Sequence, residues 1–129
     1  KFDTIVSNTL INMKTQPLPT AWLMSEGKVL ASADIANTAK SRRRGLIGQT
    51  SIDSALVISP CKWIHSFGMK CAIDVLYLDN EGLVVKTEHL KPMRVAAPVG
   101  RSKTIVEMPS GSIERFDVRV GDFIEVRSA

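Results

Sequence analysis

No part of this 129-residue chain approaches the roughly 20 consecutive apolar residues that cross a bilayer as a helix, so a membrane span is not expected. Cysteine is scarce. Cys61 and Cys71 are the only two, too few to define a disulfide scaffold, and neither has a Cys-x-x-Cys partner. No internal repeat and no low-complexity segment is visible. The first residues, Lys-Phe-Asp-Thr-Ile-Val, lack the charged-then-apolar pattern of a signal peptide, which favours a cytoplasmic location. The chain does not start with Met, so a removed export signal stays compatible with the sequence.

What is present suits one soluble domain with one core. Hydrophobic residues make up 44% and charged residues 23%, ordinary values for a globular domain. With 17 Lys+Arg against 13 Asp+Glu, the net charge of +4 permits polyanion binding without demanding it. The dense basic cluster is Arg42-Arg43-Arg44, with Lys40 before it. No aromatic residues are interleaved there, as stacking on single strands would want, so nucleic acid is not the expected partner.

Punctuation along the chain divides it into an amino-terminal arm, residues 1–20, and a single β-rich domain, residues 21–129. The arm closes on Gln16-Pro17-Leu18-Pro19, where two prolines deny regular hydrogen bonding. Residues 21–24 and 29–35 read as a first hairpin around Ser25-Glu26-Gly27-Lys28. A short helix is expected over 39–46, capped by Asn37 or Thr38 and ended by Gly48. Its basic residues would then favour the negative end of the helix dipole, a structural reason for Arg42 to Arg44 that needs no ligand. Residues 55–58, 73–78, 83–90, 104–108 and 123–126 read as strands. Asp79-Asn80-Glu81-Gly82 forms a four-residue hairpin loop and Val120-Gly121-Asp122 a tight turn. Residues 91–102 form a long loop and 112–116 a helical turn.

Candidate chemistry centres on residues 61–74. If this segment is extended, its side chains alternate between faces. Trp63, His65, Phe67, Met69, Cys71 and Ile73 then share a face with Cys61, and His65 lies on the apolar side. Cys, His and Met are soft metal ligands. In a straight strand, however, Cys61 to His65 and His65 to Met69 each span about 13 Å, so a shared metal needs a sharp bend near Gly68. The expectation is no metal, a packed histidine and two buried thiols without a disulfide, since bonded Cα atoms must lie roughly 4.4–6.8 Å apart. Two acids stand out. Asp74 lies in a strand apolar on both faces, and Glu107 sits within Ile105-Val106-Glu107-Met108. Each carboxylate is expected to have a fixed hydrogen-bonding partner.

Several separated motifs occur together: Arg44-Gly45-Leu46 with Gly48, Phe67, Met69-Lys70, Ile73-Asp74-Val75, Asp79 with Gly82, Glu107 with Gly111, and Val120-Gly121-Asp122. In that order they resemble the family called domain of unknown function 192, over residues 29 to 126. Many relatives have Trp where Gly68 stands and Asn where Cys71 stands, so this chain looks like a subgroup with His-Ser-Phe-Gly-Met. The resemblance implies a mostly β domain, sandwich-like or barrel-like, with one or two short helices, no cofactor and no established activity. The functional expectation is a non-enzymatic domain. It binds a small polar ligand or a protein partner in a pocket walled by His65, Met69, Lys70, Asp74 and Glu107. The alternatives are a small enzyme with Asp74 or Glu107 as general base, and a scaffold module.

Overall fold

The computed structural model describes residues 20–36 and 54–128. The arm before residue 20 and the helix expected over 39–46 lie outside these residues. The described strands are β1 (Thr20–Ser25), β2 (Lys28–Ala36), β3 (Ala55–Ile58), β4 (Ile73–Leu78), β5 (Val84–Leu90), β6 (Thr104–Pro109) and β7 (Glu125–Ser128). The single short helix described, α1, is Ser112–Arg115. The strands form one seven-stranded sheet in the order β5-β4-β6-β3-β2-β1-β7.

β-branched and apolar residues at both parities put β4 in the middle of a two-sided core, and all six of its residues are buried. It pairs antiparallel with β5 on one side and β6 on the other. β3 is similar, with four buried residues between a parallel β2 and an antiparallel β6. One apolar cluster lies on the face defined by Leu56, Ile58, Ile73, Val75, Tyr77 and Ile105, covered by Ile64, Met69 and Ala96 from the connecting segments. The other lies on the opposite face. It includes Leu23, Val57, Leu76, Leu78, Val106 and Met108, with Ile113 and Phe116 from the α1 region packed against it. The fold is therefore mostly β, as expected.

The sheet curls until its two edges meet at one end without closing into a full barrel. Leu83 and Phe123 form an isolated antiparallel bridge. Around it the Ile124 N–H donates to the Gly82 carbonyl at 2.9 Å, the Val84 N–H to the Asp122 carbonyl at 2.8 Å, and the Gly121 N–H to the Val84 carbonyl at 2.8 Å. This stitch explains why β7 starts at Glu125 and not at the expected Phe123. Residues 123 and 124 are taken by the start of β5 and the turn before it, ahead of the pairing with β1.

Gly82 is indispensable to the stitch. Its φ is +89°, and a Cβ there would lie 2.6 Å from the Ile124 carbonyl oxygen. Gly27 has a similar φ of +77°, but a Cβ there would meet nothing within 4 Å. Gly27→Ala should therefore cost about 1–2 kcal/mol from backbone strain alone. Gly82→Ala adds a backbone clash and should cost clearly more; denaturant melts of the two variants that came out equal would contradict the stitch.

Candidate functional site

Residues 61–72 do not run as a strand. The Met69 N–H donates to the Ser66 carbonyl at 3.1 Å, and Gly68 has a φ of +83°, so the chain bends where the glycine permits it. The bend corrects the expected alternation. Ile64 and Ser66 point inward, and Trp63 and Phe67 point out, each nearly half exposed. After the bend Met69 turns back into the core. The organising residue is Ser66, completely buried. Its Oγ donates to the Lys91 carbonyl at 2.6 Å, lies 3.2 Å from the Arg94 carbonyl, and accepts the Arg94 N–H at 2.7 Å. A lone serine gave no signal in the sequence, because its role exists only through the loop it fastens.

The five candidate residues have different surroundings. His65 is partly buried between the rings of Trp63 and Phe67, with centroids 5.6 and 5.3 Å away, and its Nδ1 accepts the Phe67 N–H at 3.2 Å. Met69 is buried in the first cluster and Lys70 is exposed. Asp74 and Glu107 are both buried, but on opposite faces of the sheet. Glu107 lies directly across from Val75, the neighbour of Asp74 with the opposite parity. Cys61 and Cys71 pack partly buried against the first cluster and are not joined in a disulfide. Among the described residues, no three His, Cys, Asp or Glu side chains gather in a way that could hold a metal ion.

Asp74 has the fixed partners expected of it. Oδ2 accepts the Gly111 N–H at 3.1 Å and the Ile113 N–H at 2.9 Å, so a strand residue caps the start of α1. Oδ1 lies 2.8 Å from Nδ1 of His89, its cross-strand neighbour on β5. His89 is about half exposed. It borders an open surface cleft of about 490 Å³, lined also by Asp74, Thr87, Glu88, Ser110, Gly111, Ile113 and Glu114. His65, Met69, Lys70 and Glu107 do not line it.

Glu107 contrasts with Asp74. Its Oε2 is buried with no hydrogen-bond partner among the described residues. Burial pushes its carboxyl up from 4.5 to about 7. On the same face, the Tyr77 hydroxyl donates to Glu88 Oε1 at 2.7 Å. Burial and that carboxylate hold the phenol protonated well above its ordinary range.

The sequence matches the model of the DUF192 family (Uncharacterized ACR) over residues 21–126. The chain belongs to this family. A UPF0127 protein of Thermococcus sibiricus is 36% identical over 108 residues, covering 78% of this chain and 70% of the relative. A UPF0127 protein of Pyrococcus furiosus is 44% identical over 62 residues, covering 48% of this chain and 53% of the relative. Among solved structures, a protein of unknown function from Novosphingobium aromaticivorans has the same fold. Its TM-score is 0.70 at 17% identity, with 84% of each chain covered. DUF192 membership thus establishes the family and the fold, and no helix described is long and apolar enough to cross a membrane.

Two substitutions should separate the two acids. Asp74→Ala leaves two backbone amides and His89 without their acceptor and should cost on the order of 3 kcal/mol in chemical denaturation. Glu107 has the opposite sign. Because its folded pKa is raised, its contribution to stability is fully present below about pH 4.5 and is lost as the pH rises through about 7. That loss is on the order of 3 kcal/mol. Glu107→Gln should therefore melt higher than the native protein at pH 8 and flatten the decline between pH 5 and 8. A variant less stable than the native protein at pH 8 would refute this.

Proposed function

We propose that the domain is a non-enzymatic binding module that takes a small polar ligand in the cleft beside Asp74 and His89. The reading is carried by one observation, the 2.8 Å contact between His89 Nδ1 and the buried Asp74 carboxylate. With Asp74 as the acceptor, Nδ1 carries the proton, and the ring is held so that Nε2 is left for a ligand. Asp74 itself is immobilised by two amides, so the imidazole is oriented before any ligand arrives, which lowers the ordering cost of binding. The lining includes the carboxyl residues Asp74 and Glu114 and no Lys or Arg; Glu88 borders the cleft but turns its carboxylate to the Tyr77 hydroxyl on the opposite face of the sheet. That chemistry favours a hydroxyl- or amino-bearing ligand over an anion. Of the five residues singled out in the sequence, Asp74 belongs to this site.

The same pair favours a second reading. A histidine oriented by a carboxylate is the arrangement of a general base, so a small enzyme in which His89 accepts a proton is the alternative. Thermal-shift and NMR titration against a panel of sugars, polyols, amino acids and polyamines should give a ligand whose binding His89→Ala abolishes in a variant that still folds cooperatively but melts lower, because Asp74 Oδ1 loses its donor while Oδ2 keeps its two amides. Turnover of that ligand, lost in His89→Asn, would move the assignment to the enzyme. If no compound perturbs residues around the cleft, the binding reading fails and a scaffold module is the better description.

A further inference from the structure

On the other side of the molecule, residues 61–72 and 91–103 lie together as an irregular two-stranded ribbon over the first apolar cluster. His65 and Val95 are antiparallel partners. The Ser66 N–H donates to the Arg94 carbonyl at 2.8 Å, Ala96 to Ile64 at 3.2 Å, and Val99 to Lys62 at 2.9 Å. This register sends Ile64, Ser66 and Ala96 inward, where all three are buried, and turns the alternate residues outward. The outward face carries Trp63, His65 and Phe67 on one strand and Met93 and Val95 on the other. Its four large apolar side chains are 44%, 45%, 58% and 55% exposed for Trp63, Phe67, Met93 and Val95. Such a contiguous apolar surface marks an interaction site more often than scattered single residues do.

Charge identifies the partner. Residues 61–72 contain Lys62 and Lys70, and residues 91–103 contain Lys91, Arg94, Arg101 and Lys103; neither segment has a single Asp or Glu. Lys62 is occupied by the carbonyls of Gly100 and Ser102 at 2.7 and 2.9 Å, and Arg101 reaches Asp79 at 3.9 Å. Lys70, Lys91, Arg94 and Lys103 are exposed and form no ion pair with a described residue. An apolar face on a ribbon whose own charged residues are all cationic disfavours a second copy of itself and suits an anionic surface that is apolar beneath.

We propose that this ribbon docks on the surface of an anionic lipid bilayer. Trp63, Phe67, Met93 and Val95 enter the boundary between headgroups and acyl chains, where amphipathic aromatic rings are favoured, and the exposed cations face the lipid phosphates. A single-stranded nucleic acid shares the negative charge but fits the face less well. The rings are tilted against one another, at 58° between Trp63 and His65 and 34° between His65 and Phe67, and so do not form a run of parallel platforms for successive bases. The facing row is aliphatic and offers no π surface. The proposal concerns a different face from the ligand cleft and does not depend on it.

The chain has two tryptophans, Trp22 and Trp63, so Trp22→Phe leaves Trp63 as a reporter inside the proposed contact. The full chain carrying that substitution is mixed with phosphatidylcholine vesicles, with and without about one-third phosphatidylglycerol. The expected result is co-sedimentation and a blue shift of Trp63 emission with the anionic vesicles, at least ~10-fold stronger than with neutral ones and weakened by salt. Phe67→Ser with Val95→Ser should reduce partitioning ~10-fold by removing inserted apolar surface. Lys70→Glu with Lys91→Glu should do so while leaving the apolar rows intact. Melting curves of both variants check that the fold is retained. Absence of partitioning, equal partitioning on neutral vesicles, or binding unchanged in both variants overturns the proposal. So does quenching of Trp63 by a thymidine oligonucleotide without any response to vesicles.

Discussion

A carboxylate set between two apolar strands has to be answered by donors, because an unpaired buried charge costs far more than a hydrogen bond returns. Asp74 meets that constraint with three groups from two other elements: His89 on β5 and the amides of Gly111 and Ile113 where β6 hands over to α1. The strand, its neighbour and the following turn are thereby locked to one point. Ile113 can pack on the second apolar cluster because its own amide is held there. The cleft is a by-product of the same arrangement, since the turn that reaches Asp74 forms one wall and His89 the other.

Glu107 obeys the same electrostatics with the opposite outcome. It is as buried as Asp74, yet where Asp74 is surrounded by donors, Glu107 looks across at Val75 and Leu56 on its two neighbouring strands. A carboxyl in such surroundings holds its proton to higher pH, and the protonated form removes most of the burial penalty. The two acids therefore differ in what surrounds them, not in how deeply they lie.

Most of the sheet was legible because its signals are local. The turn residues around Gly27 and Gly82 and the apolar runs at 55–58, 73–78 and 104–108 mark β1 to β6, and a break followed by 112–116 marks α1. Two things were not legible. The first is register. The pairing of β4 with β5 shifts between Tyr77 and Leu78. Extending the pairing of Leu78 with Val84 without that shift would have put Glu88, not His89, opposite Asp74, a repulsive pair. The bulge resets the alternation of β5 at a point that no turn residue marks, so His89 could not be picked out. The second is the path of residues 61–72, whose alternation is reset at Gly68 by a bend that depends on Ser66 and the distant loop at 91–94. The roles of His65, Met69 and Lys70 hung on that path, whereas Asp74 stood in a regular strand and kept its expected environment.

Much of the fastening of the 61–72 segment is main chain to main chain, or main chain to the hydroxyls of Ser66 and Ser102. A layer attached in this way does not need its outward side chains to stay in place. Those positions can be rewritten one by one, by drift or by design, while the scaffold beneath them keeps its shape, which makes this surface the part of the domain best able to acquire a new specificity.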